Sequence, residues 1–265
     1  MATVDASDAV LVSRDDPVLT ITLNRPHRKN ALDLAAWDGL HEALRTAASE
    51  ESVRAVVITG AGGDFCAGAD LGSDVGDVHP LHQMHRINDI AATLHEMSEP
   101  VVAKVRGVAV GAGWNLALGC DLVVAAPDAR FSQIFARRGL SPDFGGSWLL
   151  PRAVGMQRAK RLALLGEFVD AREALDLGLV AWVRPDDELD VFVTDLAARL
   201  ASGPPVALAQ TKALLHAGAQ QSFREALENE ARAQAVNFAT EDAPAAREAF
   251  VRKTEPTFTG RWGVR

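Results

Sequence analysis

Cysteine is scarce in this chain: only Cys66 and Cys120 occur among 265 residues. Their positions make neither metal-ligand spacing nor a disulfide framework, which fits a reducing compartment. A surplus of positive charge is also missing. Lys and Arg number 27 against 35 Asp and Glu, for a formal net charge of −8. A phosphate backbone needs a basic field, so a nucleic-acid surface is excluded, and any anionic ligand has to be met by a local group of basic residues. No long uncharged apolar run could span a bilayer, and no basic, apolar and small-residue leader opens the sequence. The expectation is a soluble cytoplasmic protein with no membrane partner. Familiar catalytic signatures are lacking too. There is no Gly-Lys-Ser/Thr phosphate loop, no Gly-x-Ser-x-Gly elbow, and "GVAVGAG" at 107–113 lacks the spacing of a dinucleotide fingerprint. Nucleophilic catalysis therefore has no candidate.

What is present is an alternation of short strands, glycine turns and helices. "VLTITLNRP" at 18–26 alternates like a half-buried strand until Pro26, which cannot donate to a ladder. "VRAVVITGAGG" at 53–63 is a continuous apolar run, as a strand buried on both faces would be. "PVVAKVRGVAVGAGWNLALGCDLVVAA" at 100–126 reads as strand, glycine turn, short helix and strand. These recurrences predict a stacked α/β core over residues 1–199, and the composition then turns helical over 200–265. "GPPVALAQTKALLH" places prolines at a helix start. "SFREALENEARAQAVNFA" at 222–239 sets Phe223, Leu227, Ala231 and Phe238 along one face. That face has to pack either on the chain's own core or on a neighbouring subunit.

Two glycine-bearing loops, "DFCAGADL" at 64–71 and "GVAVGAGWNLALGCDL" at 107–122, follow predicted strands and are expected to open helices. Small residues there let a ligand approach backbone N–H groups, and two such turns converging on one point would make an oxyanion hole. Either loop alone reads as a tight strand-to-helix turn. "GLSPDFGGSW" at 139–148 carries one carboxylate, Asp143, beside Phe144 in a segment otherwise short of charge. It either holds a turn together or does proton chemistry. His79, His82 and His85 cluster in one stretch, but no spacing marks further donors, so no metal site is expected. Asp74 and Asp77 read as loop polarity.

Several of these segments, with "LNRPHRKNAL", "FSQIFARRGLSPDFGGSWLLPRAVG" and the closing "FTGR", occur in the order and at about the spacing seen in the enoyl-CoA hydratase/isomerase (crotonase) family, which the chain resembles from about residue 10 onward. The resemblance implies a spiral of ββα units with a C-terminal helical trimerisation region, and a homotrimer or dimer of trimers. It implies an acyl-CoA thioester as substrate, with no separate cofactor because CoA is part of that substrate. The N–H groups of Ala69 and Ala112 would form the oxyanion hole. Arg28 and Lys29 would meet the CoA phosphates, and Ala67 would help seat the adenine. Asp70, read from the loop itself, is expected to fix that loop.

The departures from the family carry as much information. Its hydratases use two glutamates as acid and base, and the positions that align with them here are Asn115 and Phe135. Neither can move a proton, so the two-glutamate hydration mechanism is closed to this chain. Asp143 aligns with the aspartate of isomerases resembling the phenylacetate-pathway epoxide isomerase, and one carboxylate suffices to carry a proton from the α-carbon to the γ-carbon of an enoyl thioester. Trp114, Phe135 and Phe144 would line an acyl pocket, and Asn115 would orient a group by hydrogen bonding. Double-bond isomerisation is the preferred expectation. Hydration by a single acid and a non-catalytic acyl-CoA-binding protein are the alternatives.

Overall fold

The computed structural model describes residues 9–72, 78–218 and 220–263. Its spine is a six-stranded sheet. β1 (Val10–Asp15) and β2 (Val18–Leu23) form an antiparallel hairpin at one edge. β3 (Ala55–Gly60), β4 (Val101–Val105), β6 (Leu122–Ala125) and β9 (Trp182–Val183) then add in parallel. The burial follows the sequence patterns. Leu19, Ile21 and Leu23 alternate inward on β2, whereas Ala55 to Thr59 on β3 are buried throughout, as an interior parallel strand requires.

A second, shorter layer is made of β5 (Val108–Val110), β7 (Arg130–Ser132) and β8 (Phe168–Asp170). Single parallel bridges, Cys66 with Ala109 and Leu32 with Ala69, extend it. The chain visits the two layers in rotation. β2 runs through the Leu32 bridge into α1 (Leu34–Ser49), and β3 through the 66–69 bridges toward α2 (Pro80–Glu96). β4 and β5 lead into α3 (Ala112–Gly119), and β6 and β7 toward α4 (Gly146–Val154) and α5 (Met156–Leu165). Each turn thus supplies a strand, a short second strand or bridge, and a helix, which is the expected ββα spiral.

Apolar faces of the helices close the core. Trp37, Leu40 and Leu44 of α1 and Ile87, Ile90 and Leu94 of α2 pack with the strands on one side of the large sheet. After α6 (Ala171–Asp176), helix α7 (Asp186–Ser202) covers the other side, setting Leu189, Val193 and Leu196 on Val57, Val102 and Val124. Then come α8 (Pro205–Gly218), α9 (Phe223–Phe238) and α10 (Asp242–Arg252). Ser222 caps α9 in a reciprocal box with Glu225. Its Phe223, Leu227 and Phe238 are exposed in the single chain, while Ala233 is buried. Among the described residues no helix is long and apolar enough to cross a membrane.

One expected feature differs. The first glycine loop does not open a helix; α2 starts only at Pro80. The loop is instead held as a strand-like rung, because Cys66 N donates to Val108 O and Val110 N to Cys66 O, both at 2.9 Å.

Candidate active site

The two glycine loops meet where the second layer crosses the start of α3. Gly68 has φ +92, and a Cβ there would lie 2.7 Å from Val110 O and 3.6 Å from Ala112 N. Only glycine lets the strands come this close. The Leu32 bridge uses Leu32 N to Gly68 O at 2.8 Å and Asp70 N to Leu32 O at 2.9 Å, which turns the intervening Ala69 N–H away from it. Ala112 is the first residue of α3, following Gly111 at φ +57, so its N–H has no intrahelical partner. Among the described residues neither Ala69 nor Ala112 donates its N–H to any acceptor. Both border one cleft of about 760 Å³, which also takes in Arg28, Lys29, Ala67, Phe135, Arg138 and Asp143.

The first loop is pinned by charge. Asp70 lies 3.0 Å from Arg25 Nη1 and 3.1 Å from Arg28 Nη2, with its side chain 6% exposed. Hydrogen bonding to Arg28, aided by the Gly72 N–H and Arg25, holds its carboxyl down at about 2. Asp70 therefore fixes the loop, as expected. The same contact means that Arg28 is not a free cation, and Lys29 Nζ stands 3.5 Å from Asp64 Oδ2. Arg138 also borders the cleft and forms no ion pair among the described residues.

Asn30 completes the pinning. It is fully buried in a left-handed conformation, accepts from Arg25 N at 2.9 Å, and donates to Ala61 O and Asp64 O at 2.8 and 2.6 Å. Arg25, Asn30 and Arg138 were not among the residues the sequence singled out. Asparagine's tolerance of positive φ in a polar turn is the one signal by which Asn30 could be found.

Asp143 borders the same cleft. It is largely buried, its Oδ1 has no hydrogen-bond partner among the described residues, and burial pushes its carboxyl up to about 6. A buried carboxylate oxygen without a partner costs stability, and such groups cluster at functional sites. Phe135, the second aligned position, is buried with its ring against Gly111 and borders the same cleft.

Three of the residues singled out in the sequence do not border this cleft. Trp114 packs inward with its ring 5.5 Å from Phe131, because α3 is buried on nearly every side and this position faces the core. Phe144 stacks on Trp37 and borders a neighbouring cavity of about 300 Å³ with Gly145 and Trp148. Asn115 sits fully buried behind the cleft wall, with Nδ2 donating to Asp143 O at 2.9 Å. It orients a main-chain group of the protein.

The cysteines take no part: both are buried, and burial pushes the Cys66 thiol up to about 12 and Cys120 further still. His79 caps α2, its Nδ1 accepting from Leu81 N at 3.2 Å. No group of three or more His, Cys, Asp or Glu able to hold a metal occurs among the described residues. Asp74 and Asp77 lie outside the described residues.

A carboxylate with one oxygen unpartnered and two N–H groups without acceptors among the described residues, around one cleft, suit proton transfer next to a carbonyl that gains charge. The enoyl-CoA hydratase/isomerase family model matches residues 13–261. The chain belongs to the enoyl-CoA hydratase/isomerase family. It is an enzyme of the crotonase superfamily, and its fold is the crotonase fold. A Rhodobacter capsulatus protein named "Probable enoyl-CoA hydratase" is 42% identical over 243 residues, 91% of this chain and 94% of that one. The 1,2-epoxyphenylacetyl-CoA isomerase of Escherichia coli is 36% identical over 250 residues, 92% of this chain and 95% of that one. Among solved structures, an enoyl-CoA hydratase from Bacillus anthracis superposes with a TM-score of 0.91 at 32% identity, covering 96% of this chain and all of that one.

Proposed function

We propose that this family member shifts a double bond in an enoyl-CoA thioester, with Asp143 carrying the proton. The thioester carbonyl accepts hydrogen bonds from the N–H groups of Ala69 and Ala112, one of them at the start of α3, where the helix adds positive partial charge. Asp143 as carboxylate removes a proton from the α-carbon. The electron pair moves into the carbonyl to give a dienolate, whose oxygen the two donors hold. The same carboxyl then returns the proton to the γ-carbon, and the double bond ends between the α and β carbons. No water is consumed and the aspartate is regenerated.

The observation that carries this reading is the Oδ1 of Asp143, buried and, among the described residues, unpartnered, on the cleft that the two N–H groups without acceptors there also border. Asn115 and Phe135 stand where the family's hydratases carry glutamates, and neither exchanges protons. Exposed Lys29 and Arg138 at the cleft are the basic residues that would meet the CoA phosphates, with Arg28 tied to Asp70 and acting through the loop. Ala67, which borders the cleft, keeps its place beside the adenine in this reading.

Incubating the enzyme with 2-enoyl and 3-enoyl thioesters tests the proposal. Conversion of the 3-enoyl to the 2-enoyl form without a hydroxyacyl product supports it. A hydroxyacyl product from the 2-enoyl thioester would instead support single-acid hydration, the reading favoured by relatives named as hydratases, such as the 2,3-dehydroadipyl-CoA hydratase of Escherichia coli, 36% identical over 256 residues.

A further inference from the structure

We propose that Asn115, oriented by Gln133, is a positioning residue that fixes the main chain of Asp143 relative to the N-terminus of α3. The inference rests on Asp143 being the proton carrier. The Asp143 carbonyl accepts two hydrogen bonds at 2.9 Å, one from Gly146 N and one from Asn115 Nδ2. The first closes a four-residue turn whose central residues, Phe144 and Gly145, have φ of +47 and +77. For a bulky residue such as phenylalanine the left-handed region is strained, and a turn of this kind persists only where its surroundings hold it. The second hydrogen bond is that hold. Asn115 lies one turn into α3, its own N–H bonded to Gly111 O at 3.0 Å. A single side chain therefore ties the residue bearing the carboxylate to the helix that presents the Ala112 N–H.

The amide can do this in one orientation only. Gln133 Nε2 donates to Asn115 Oδ1 at 2.7 Å, so the nitrogen of Asn115 is turned toward the Asp143 carbonyl. Asn115 and Gln133 are both fully buried, and Gln133 leaves its own Oε1 without a partner among the described residues. The fit is close on the far side as well. A Cβ on Gly146 would lie 2.3 Å from Asn115 Nδ2, so glycine at 146 is a condition of the clamp. A carboxylate at 115 could still accept from Gln133, but it would present an oxygen to the Asp143 carbonyl and add a second negative charge beside the first. An amide is the group of this size that donates to one side and accepts from the other.

Asn115→Ala and the near-isosteric Gln133→Met test the clamp, with folding checked by circular dichroism. Each is read by steady-state turnover of a 3-enoyl thioester and by calorimetric binding of a non-reactive acyl-CoA. Turnover should fall about tenfold to a hundredfold for Asn115→Ala, the scale of a misplaced catalytic group, while affinity changes less than about threefold. The double variant Asn115→Ala/Asp143→Asn separates positioning from general destabilisation, because a residue acting only through the Asp143 carboxylate has no further effect once that carboxylate is gone. Folded Asn115→Ala with turnover within about twofold of the parent, or an equal loss in both backgrounds, would overturn the inference. If Asn115→Ala does not fold, unchanged turnover in Gln133→Met overturns it, and a selective loss of turnover there supports it. Full activity of Asp143→Asn alone would strike the isomerase reading itself, a different result from failure of the clamp.

Discussion

The Phe144 ring stacks on Trp37 with centroids 5.7 Å apart and planes inclined by 28°, so the residue that follows Asp143 is anchored to helix α1. The ring is almost fully buried, 1% exposed. Phe144→Ala should cost about 3–5 kcal/mol, the usual range for emptying a buried phenylalanine site, and should lower turnover because the Asp143 turn loses one of its supports. Chemical denaturation reads the first effect and steady-state kinetics the second. Reduced stability with unchanged turnover would show that the ring serves the core alone.

Asp143→Asn keeps the size of the side chain and removes its basicity. Thioester binding should survive, while turnover should fall about a hundredfold to ten-thousandfold, the contribution expected of general acid–base catalysis. Solvent deuterium should enter the α or γ carbon in the unmodified enzyme whenever the carboxyl exchanges its proton before returning it. Normal isomerisation by Asp143→Asn would mean that the carboxylate only holds its turn.

The same residue sets the pH behaviour. The base must be ionised, and burial raises its carboxyl to about 6, so turnover should climb through about pH 6 and level off above it. Stability should run the opposite way. Between the ordinary carboxyl range near pH 4 and about pH 6 the folded chain keeps a proton that the unfolded chain has released, so folding weakens as pH rises through that window. Asp143→Asn removes this cost and should stabilise the fold at pH 8 by up to about 3 kcal/mol, with no gain at pH 3, where both states are protonated. Paired denaturation curves at the two pH values check the sign.

The large sheet is readable because its strands carry strong patterns: alternation on β2, an apolar run on β3, and on β4 an apolar run broken only by Lys104. The ββα spiral followed from the recurrence of strand, glycine turn and helix together with the family resemblance. Short elements were harder to see. β5 has three residues and is continuous in composition with β4, so its separate place in the second layer shows only through its pairing with β7. Motif order singles out Ala67, Ala69, Ala112, Phe135 and Asp143, which border one cleft. The direction in which Trp114 faces is not legible, because an aromatic in a helix buried all round carries no sign of it. Gln133 and Arg25 looked like ordinary polar residues, since their importance lies in what they bond to across the chain.

The proposed oxyanion donors predict an unusual tolerance. Proline is sterically acceptable at the first position of a helix, so Ala112→Pro should leave α3 in place while deleting the N–H. Ala69→Pro deletes the other donor. Each should reduce turnover about a hundredfold or more, the effect of losing one such donor, whereas glycine at either position should be nearly neutral. Folded proline variants with full activity would remove these N–H groups from the site.

The C-terminal helices give the remaining prediction. Phe223 and Phe238 on α9 are 80% and 75% exposed, with Phe250 and Val251 on α10 at 85% and 75%. This is more apolar surface than an isolated chain usually leaves to water in one region, and it favours a neighbouring subunit over the chain's own core as the partner of the α9 face. Sedimentation at micromolar concentration should give three or six times the 28.2 kDa of one chain. Phe223→Asp with Phe238→Asp should lower that mass, because each charge would be buried without a partner at the interface. The formation of a stable monomer by the unmodified protein would sink the proposal. So would an unchanged mass in the double variant, which would assign the contact to another face.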